Sequence, residues 1–447
     1  MKLVAMSSIK KSQLRQTAKV ISQAGFYHFL RQFDLQHLLP HWHLLFKRKR
    51  LGAVPSATLG RLLAQLGPGF VLAGRIASLR ADLVGGEYQG VLRELDYSPQ
   101  ALSQKEIWQL LRRELGRGVE KIFSHLYPEP ISHHLLGFTY RAILKNGKRA
   151  LLVINNPKEV ERLHRNLDEL RWLLDWVLPR FSKNQARAWH EIWSEVVRQA
   201  DNLADLTQIG GQMEIFLAHT GARRKFLIPE VIWEHTTPRL LMQRTHKLPT
   251  FSDILFGRQS GAGAKKYLIR RLLEFFVYQY GTLGHFLLQP KLEDWQATTG
   301  NRVVANNFLG TAWLEPELRR AFVAFLYCTL KHDSHQSGKI FLKLHYLAAT
   351  RKEPQHPSFV VADNKGAATS KQLRYLLERA WHGHIITPLP FVQAVESVCF
   401  LEELVTAFDF EADFAYIFLS VLQAELPKIL GVKKGAGVAE VVKQIIK

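Results

Sequence analysis

The stretch SHHLLGFTYRAILKNGKRALLVINNP, residues Ser132 to Pro157, decides how the rest of the chain is interpreted. Apolar residues alternate with other residues from Phe138 to Leu144, and a second apolar run extends from Ala150 to Ile154. Between the two runs stands Asn146-Gly147, a dipeptide that strongly favours a tight turn between two strands. The sequence therefore predicts an antiparallel β-hairpin that turns at these two residues.

Helical periodicity dominates on both sides of this hairpin. The segments whose apolar residues fall at helical spacing are Ser12 to Phe33, Leu59 to Ala73, Tyr88 to Leu95, Ser103 to Gly116, Pro157 to Leu178, Asn184 to Ala200, Lys265 to Tyr280, Pro316 to Lys331, Lys339 to Ala349, Lys371 to His382 and Phe391 to Leu426. A second hairpin is predicted between Phe226 and Gln243, with its turn near Thr236-Thr237-Pro238. The predicted fold class is α+β and mostly helical.

The composition is that of a globular, intracellular protein. The chain has 447 residues, of which 47% are apolar, so it is long enough to bury a sizeable core. Its two cysteines, Cys328 and Cys399, exclude a disulfide framework and a cysteine-based metal site. The chain lacks an apolar run of about 18 residues, the length that a spanning helix needs. We expect a cytoplasmic protein that is soluble or held on the inner membrane from one side.

The charge is concentrated at the N-terminus. The formal net charge is +21, and residues 1–50 hold ten Lys and Arg against the single acid Asp34, a net of +9. The run Lys47, Arg48, Lys49 and Arg50 follows Trp42 and Phe46, beside an apolar helical stripe. Cations next to aromatic residues are typical of a segment that binds an anionic membrane surface. The alternative is that the stripe packs in the core and leaves a solvated charge patch.

Several motifs, in a fixed order, resemble those of the UbiB (AarF) family of atypical kinase-like proteins. GPGFVLAGRIASLRADL, Gly67 to Leu83, follows the family string GPxFxKxGQxxSxRxDL. Pro130 to Gly147 looks like the family's phosphate loop and first hairpin, and Ala150 to Pro157 looks like its VAVKVxxP strand. IPEVIWEHTTPRLLMQ, Ile228 to Gln243, resembles its second hairpin and hinge. The scaffold residues that match in register are Gly67, Pro68, Gly74, Ser78, Arg80 and Asp82.

This resemblance implies an atypical protein-kinase-like bilobal fold with a helical N-terminal extension. The predicted division is a basic helical segment at 1–54, a helical extension at 55–129, a small strand-bearing lobe at 130–245, a helical large lobe at 246–350 and an unmatched helical region at 351–447. Arg80 and Asp82 are predicted to tie the extension to the small lobe.

The departures from the family pattern fall at the positions that handle Mg-ATP. The two changed positions in the extension's lysine-Gly-Gln signature are Leu72 and Arg75, and the phosphate-binding lysine of the small lobe is replaced by Val153. In the catalytic loop, aligned with His285 to Leu292, Leu287 takes the place of the aspartate and Leu292 that of the metal-binding asparagine. Asn307 replaces the aspartate of the DFG-type motif. Of the family's paired acids ahead of the hinge, only Asp205 has a counterpart here, and Leu203 stands where the glutamate is expected.

Phosphoryl transfer needs a lysine on the phosphates, carboxylates on Mg²⁺ and an aspartate near the acceptor hydroxyl. Leucine and valine supply none of these groups, so the sequence predicts a catalytically silent pseudokinase with no cofactor. The family resemblance implies an accessory or lipid-binding role in isoprenoid-quinone (ubiquinone) biosynthesis at a membrane surface. The expected partners are an anionic membrane surface or an isoprenoid lipid, and an enzyme of the quinone pathway.

Two alternatives are open at this point. The chain is an active family member that binds Mg-ATP through displaced residues such as Lys291, Glu293 or Asp294, or it is a basic nucleic-acid-binding protein, which only the net charge of +21 favours. Histidine clusters such as His133-His134 suggest a metal site, but 19 histidines in a basic chain produce such clusters by chance, so no metal is predicted.

Overall fold

The computed structural model describes residues 56–84, 86–116, 118–180, 183–220, 225–245, 247–257, 262–300, 302–348, 368–383 and 385–446. These residues form two compact units. The first ends at Gln208 and also takes in Glu234–Met242, and the second comprises Ile209–Trp233 and the chain from Gln243 onward. The predicted basic segment at 1–54, with Trp42, Phe46 and the run Lys47 to Arg50, lies outside the described residues, so its membrane role stays a prediction.

The first unit begins with a series of helices, and the helix predicted from Leu59 to Ala73 is divided in two at Gly67. They are α1 (Ser56–Leu66), α2 (Pro68–Ala77), α3 (Ala81–Val84), α4 (Gly86–Arg93) and α5 (Gln104–Leu115). Two local signals fix where helices start. Pro68 stands at the first position of α2, where its missing N–H costs nothing. Ser103 and Glu106 form a reciprocal capping box at the start of α5.

A four-stranded sheet follows, in the order β1-β2-β3-β5. Its strands are β1 (Phe123–His134), β2 (Gly137–Leu144), β3 (Arg149–Asn155) and β5 (Leu240–Arg244). The predicted hairpin is confirmed, because β2 and β3 pair antiparallel with Thr139 opposite Val153. Gly147 has φ of 77°, the left-handed conformation that its turn requires. Strand β1 begins before the predicted small-lobe boundary at residue 130.

Long helices continue the first unit. They are α6 (Pro157–Val177), α7 (Lys183–Ala204) and α8 (Leu206–Thr220), which continues into the second unit. Asn156 caps α6 through the N–H of Lys158, and Pro157 occupies the first helical position. The side-chain amide of Asn156 also donates to the carbonyl of Gln100 at 2.9 Å. The end of β3 is thus joined to the loop that precedes α5.

The second predicted hairpin, between Phe226 and Gln243, forms only in part. Strand β4 (Phe226–Leu227) pairs in parallel with β8 (Val303–Ala305), whereas β5 joins the edge of the first sheet. Isolated bridges join Val231 to Gln243 and Thr237 to Leu240. The apolar residues of this stretch meet two different sheets, a choice of partners that local periodicity does not encode.

The second unit contains short strands and helices near its start. They are α9 (Phe251–Phe256), α10 (Ala262–Tyr278) with a π turn at Gln279–Leu283, β6 (His285–Leu287), β7 (Trp295–Ala297), β8 and β9 (Thr311–Trp313). One small sheet has the order β4-β8-β7, and β6 pairs antiparallel with β9. A 3₁₀ turn at Leu292–Asp294 leads into β7.

A helical region completes the second unit. Its helices are α11 (Pro316–Leu330), α12 (Ser334–Ala348), α13 (Thr369–His382), α14 (Leu389–Phe408), α15 (Phe414–Leu430) and α16 (Val438–Ile446). The single helix predicted from Phe391 to Leu426 is wrong, because α14 ends at Phe408 and Asp413 caps α15. Within the described residues, no helix is long and apolar enough to cross a membrane.

Candidate functional site

The start of α2 carries the retained glycine and proline of the family string. Gly67 has φ of 127°, which disfavours any side chain, and an added Cβ would lie 2.6 Å from Asn166 Oδ1. The N–H of Gly69 donates to the same oxygen at 3.2 Å, so a side chain from α6 satisfies one of the free amides at the start of α2. Gly67 and Pro68 therefore fix α2 against α6.

The side chains at the two changed positions of the lysine-Gly-Gln signature make their contacts inside the first unit. Leu72, at the lysine position, is 3% exposed. Arg75, at the glutamine position, donates from Nε and Nη2 to the carbonyl of Leu95, at 2.9 and 2.6 Å. Burial lowers the pKa of Arg75, and the Asp96 carboxylate opposes that change. The guanidinium is thus bound to the chain's own backbone.

The other retained residues of the string also make contacts inside the first unit. An added Cβ on Gly74 would lie 2.6 Å from Leu95 Cδ1, so this glycine permits the close approach of the two segments. Ser78 Oγ donates to the Arg75 carbonyl at 2.7 Å. Arg80 is buried, and its charge opposes the rise that burial causes in the pKa of Glu191 on α7. Asp82 lies in α3, and its side chain is outside the described part.

A buried carboxylate on α6 joins this helix to the extension. Glu159 is 5% exposed, and its Oε2 accepts from the hydroxyl of Tyr97 at 2.6 Å. Its Oε1 accepts from the N–H of Gln100 at 3.1 Å. Arg162 donates to the same hydroxyl at 3.2 Å and to the carbonyl of Gln65 at 2.6 Å. Burial and the bond to Glu159 raise the pKa of Tyr97. We call these residues the Glu159 network.

The two remaining candidate residues of the small lobe, Val153 and Asp205, are part of the packing and capping of the fold. Val153, where the family has its phosphate-binding lysine, is 6% exposed in the middle of β3. Asp205 accepts from the N–H and the hydroxyl of Thr207, at 3.0 and 2.6 Å, at the start of α8. Leu203, at the paired glutamate position, is buried. Asp205 therefore acts as a helix cap, an arrangement that occupies its Oδ1.

In the second unit, Leu287 is part of strand β6 and lies opposite Thr311. Its N–H donates to Gln279 Oε1 at 2.9 Å, and its carbonyl accepts from Ser397 Oγ of α14 at 2.5 Å. The region that matched no family motif therefore helps to hold β6. Leu292 begins the 3₁₀ turn that ends at Asp294.

Asn307 is bonded to Asp294, a residue that the sequence suggested only as a displaced alternative. Asn307 Nδ2 donates to Asp294 Oδ1 at 2.9 Å, and Asn307 Oδ1 accepts from the N–H of Leu309 at 3.0 Å. The other carboxylate oxygen of Asp294 accepts from the N–H of Lys291 at 3.1 Å. Both residues therefore have their oxygens occupied by N–H donors. We call them the Asp294–Asn307 pair.

The Asp294 carboxylate is partly buried, and this shifts its protonation. Burial raises its pKa to about 6 from an ordinary 3.8, while the bonds from Asn307 and Lys291 act in the opposite direction. The partner of Asp294 Oδ1 is the side-chain amide of Asn307. Among the described residues, no three His, Cys, Asp or Glu side chains form a group that would hold a metal ion.

The ABC1 atypical kinase-like domain matches residues 94–339 of this chain, which is more than half of its length. The chain belongs to the ABC1 atypical kinase-like family. The family suggested by the motifs is thereby confirmed, and the mostly helical architecture with small sheets fits it. The matched region includes the Asp294–Asn307 pair and all of the Glu159 network except Gln65.

Over the aligned segments, relatives named as kinases are about a quarter identical to this ABC1-family chain. "Protein ACTIVITY OF BC1 COMPLEX KINASE 8, chloroplastic" of Arabidopsis thaliana is 24% identical over 64% of this chain and 38% of its own length. "Probable protein kinase UbiB" of Xylella fastidiosa (strain M23) is 25% identical over 48% of this chain and 39% of its own. The chain thus matches less than half of the length of these relatives.

A solved structure is also similar to this chain. It is the complex of Rv3197 with erythromycin from Mycobacterium tuberculosis, which aligns over 80% of this chain and 90% of its own with a TM-score of 0.48 and 14% identity.

Sequence reasoning missed the Glu159 network and the bond between Asp294 and Asn307. One signal pointed toward the network, because Glu159 follows Asn156-Pro157 in the first turn of α6. An acid at that position also has an ordinary explanation in the helix dipole, so the signal does not identify its partners. For Asp294, the signal was a carboxylate close to the aligned catalytic loop.

Proposed function

We propose that this ABC1-family protein is catalytically silent and acts as an accessory, regulatory or lipid-binding protein of isoprenoid-quinone (ubiquinone) biosynthesis at a membrane surface. The quinone pathway enters through the UbiB resemblance and through relatives named UbiB. Catalytic silence is supported by the chain's own residues at the positions that would hold Mg-ATP.

The observation that carries the proposal is the Asp294–Asn307 pair. In kinases the DFG aspartate and the catalytic-loop asparagine hold Mg²⁺. Here Asn307 aligns with that aspartate, and its amide nitrogen rather than an oxygen faces the carboxylate of Asp294 at 2.9 Å. Mg²⁺ requires oxygen ligands. The amide N–H therefore supplies the positive end of a dipole toward Asp294, which a cation would otherwise supply.

This contact also favours a different register for the catalytic loop. The sequence alignment put Leu292 in place of the metal-binding asparagine. If the family string HxDPHPGN is shifted by two residues, Asp294, next to Asn307, takes the place of the metal-binding asparagine. The same shift puts Gln289 in place of the catalytic aspartate. In either register the aspartate is replaced by a residue that cannot accept a proton, Leu287 or Gln289. The proposal of silence is thus independent of the register.

The small lobe supports the same conclusion. The phosphate-binding lysine neutralises charge on the β- and γ-phosphates. Val153 has no charge and is buried, and no lysine occurs in β3, which reads RALLVIN. In the extension, Leu72 is buried and Arg75 is bound to the Leu95 carbonyl.

A thermal-shift titration with Mg-ATP tests the proposal. A ligand at about 100 times its Kd stabilises a protein by about 2.7 kcal/mol, which raises the melting temperature of a chain of this size by at least a degree or two. We expect no saturable shift for the wild type. A shift that saturates and requires Mg²⁺, together with ATP hydrolysis above that of an Asp294→Ala variant, would overturn catalytic silence.

The alternative of an active enzyme is favoured by one observation, the retention of the Asp294 carboxylate within hydrogen-bond distance of Asn307. In that case Asp294 and a reoriented Asn307 would each offer an oxygen to Mg²⁺. The same titration separates the two functions, since only the alternative predicts a Mg²⁺-dependent shift that Asp294→Ala abolishes.

The membrane location is proposed from residues 1–50, which carry ten cations and one acid. Each cation near an anionic bilayer contributes about 1 kcal/mol, and buried aromatic rings add binding that salt does not remove. Vesicle co-sedimentation compares the wild type with a variant in which Lys47, Arg48, Lys49 and Arg50 are serine, and with Trp42→Ser/Phe46→Ser. Equal pelleting of all three with anionic vesicles would contradict the assignment of binding to this segment.

A further inference from the structure

A second concentration of positive charge lies in the first unit, at the turn between β2 and β3. The turn reads Lys145-Asn146-Gly147-Lys148-Arg149, and all five residues are exposed. Its backbone is fixed, since Leu144 N–H donates to the Lys148 carbonyl at 2.8 Å and Lys148 N–H donates to Asn146 Oδ1 at 3.0 Å. Three cations are therefore carried on a rigid two-stranded support.

Two other basic segments are held next to this turn. The N–H of Lys145 donates to the carbonyl of Ile122 at 2.9 Å, directly after the 3₁₀ turn that ends at Lys121. That 3₁₀ turn is joined to the end of α5, because Arg112 Nε lies 2.8 Å from Glu120 Oε1. Arg113 is also exposed on the last turn of α5. We call the assembled residues the cationic turn cluster, and its members are Arg112, Arg113, Lys121, Lys145, Lys148 and Arg149.

The cluster has a large excess of positive charge. Of the two acids on its segments, Glu120 is paired with Arg112, and Glu114 is paired with Arg239 at 3.5 Å and accepts from the Thr237 hydroxyl at 2.8 Å. No carboxylate of a described residue lies within ion-pair distance of the other five cations of the cluster. Such a surface attracts a polyanion over about a Debye length, ~10 Å at moderate ionic strength.

We propose that the cationic turn cluster binds the surface of an anionic phospholipid bilayer. This is a second membrane contact, distinct from residues 1–50, and it deepens the membrane location of the proposed function. The cluster consists of a hairpin turn, a 3₁₀ turn and a helix end, whose lysine and arginine side chains are exposed and flexible. Lipid headgroups make no demand for sequence-specific partners, so charge alone is enough for binding.

Sequence-specific or single-stranded nucleic acid is a poorer fit to the same residues, and binding to duplex phosphates by charge alone is left to the test below. Sequence readout needs hydrogen-bonding side chains on base edges, and single strands need aromatic rings for stacking. The amide of Asn146 is occupied by the N–H of Lys148. At the base of the cluster, Trp108 and Phe123 pack edge to face on each other, and Phe123 is buried.

The test is co-sedimentation of the full chain with vesicles of phosphatidylcholine alone and of phosphatidylcholine mixed with phosphatidylglycerol. The cluster variant is Lys145→Ser/Lys148→Ser/Arg149→Ser. The matched control, Lys433→Ser/Lys434→Ser/Lys443→Ser, removes the same charge from exposed positions of the second unit. At about fivefold per cation, the cluster variant should partition on the order of a hundredfold less onto the anionic vesicles, and the control within a few fold of wild type.

The outcomes separate this proposal from the others. Loss of binding in the cluster variant but not in its control, with an unchanged melting temperature, supports the cluster as a membrane contact, whether or not the variant with serine at 47–50 also loses binding. Equal binding by the cluster variant and its control overturns the cluster proposal. If only the variant with serine at 47–50 loses binding, the cluster proposal fails while the N-terminal one stands. Cluster-dependent binding to duplex DNA or RNA, without binding to anionic vesicles, also overturns it.

Discussion

The Glu159 network in the first unit and the Asp294–Asn307 pair in the second are both built around a carboxylate that accepts two hydrogen bonds, yet their surroundings differ. Glu159 is 5% exposed, and its partner Tyr97 is itself bonded to Arg162, which holds the carbonyl of Gln65. Asp294 is only partly buried, has an amide and one backbone N–H as its partners, and has a raised pKa.

Under the proposed catalytic silence, this difference separates residues that packing retains from residues that only a bound ligand would retain. The residues of the extension that match the family string, such as Gly67 and Gly74, lie where a side chain would collide with a neighbouring segment. Their replacement would cost folding free energy whether or not a nucleotide binds. The aligned ligand-handling positions Val153 and Asn307 carry residues that fit their surroundings without a ligand. Packing thus accounts for the glycines that match the family string. Only ligand binding would have required a lysine at Val153 and an aspartate at Asn307.

The largest effect is expected from breaking the Glu159 network. Glu159→Ala should lower the free energy of unfolding by about 3 kcal/mol, because the Tyr97 hydroxyl and the N–H of Gln100 lose their acceptor in a buried place. Urea denaturation measures the change. The control Glu161→Ala, two residues along α6, removes an exposed partner of Arg165 and should change stability by less than about 0.5 kcal/mol. Equal losses of unfolding free energy in the two variants would show that the buried network contributes no more than an exposed ion pair.

A lysine restored at Val153 tests the small lobe. Val153→Lys should destabilise the protein by about 1 to 3 kcal/mol, since a buried position would have to accept a charge. It should produce no ATP hydrolysis, because Mg²⁺ still lacks its carboxylates. The control Val153→Leu keeps the position apolar and should cost less than about 1.5 kcal/mol. Measurable turnover by Val153→Lys would contradict the assignment of the other changed positions.

A second carboxylate beside Asp294 should convert the pair into a cation site. In Asn307→Asp two carboxylates would face each other, which should cost about 1 to 2 kcal/mol of stability at pH 8 without divalent cations. Added Mg²⁺ should restore that stability in the variant and leave the wild type unchanged. Thermal melts with Mg²⁺ or EDTA measure both effects, with Asn306→Asp as the control. If the melting temperature of Asn307→Asp is the same with Mg²⁺ and with EDTA, the Asp294 oxygens are not accessible to a cation.

The smallest effect concerns pH. The folded pKa of Asp294 is raised to about 6, above its ordinary 3.8, so the folded protein binds the proton more tightly than the unfolded chain does. The free energy of unfolding contributed by this group should therefore fall as pH rises from about 4 to about 6 and stay constant above that range. After a discount for partial exposure we expect about 1 kcal/mol. Urea midpoints of wild type and Asp294→Ala across this range isolate the contribution, and parallel curves would refute it.

Much of the fold and the family follows from local sequence signals. Asn146-Gly147 predicted the hairpin, and the start of α5 at the Ser103 capping box followed from apolar periodicity and the acid at its start. The ordered motifs from Gly67 onward predicted the ABC1 family. These signals succeed because a turn or a helix cap is set by residues within a few positions of each other, so the chain specifies it without reference to distant segments.

Pairings between distant residues were decided by the tertiary structure. Periodicity placed Phe226 and Gln243 in one hairpin, but β4 found its partner in β8, and β5 found its partner in the first sheet. Alignment put Leu292 in the place of the metal-binding asparagine, and the β7–β8 hairpin brings Asp294 to Asn307. A shift of one or two residues changes which side chain faces a partner, and the sequence carries no local cost for that shift. The sequence alone thus determined the family and the apolar character of Val153, while only the path of the backbone decided which carboxylate stands beside Asn307.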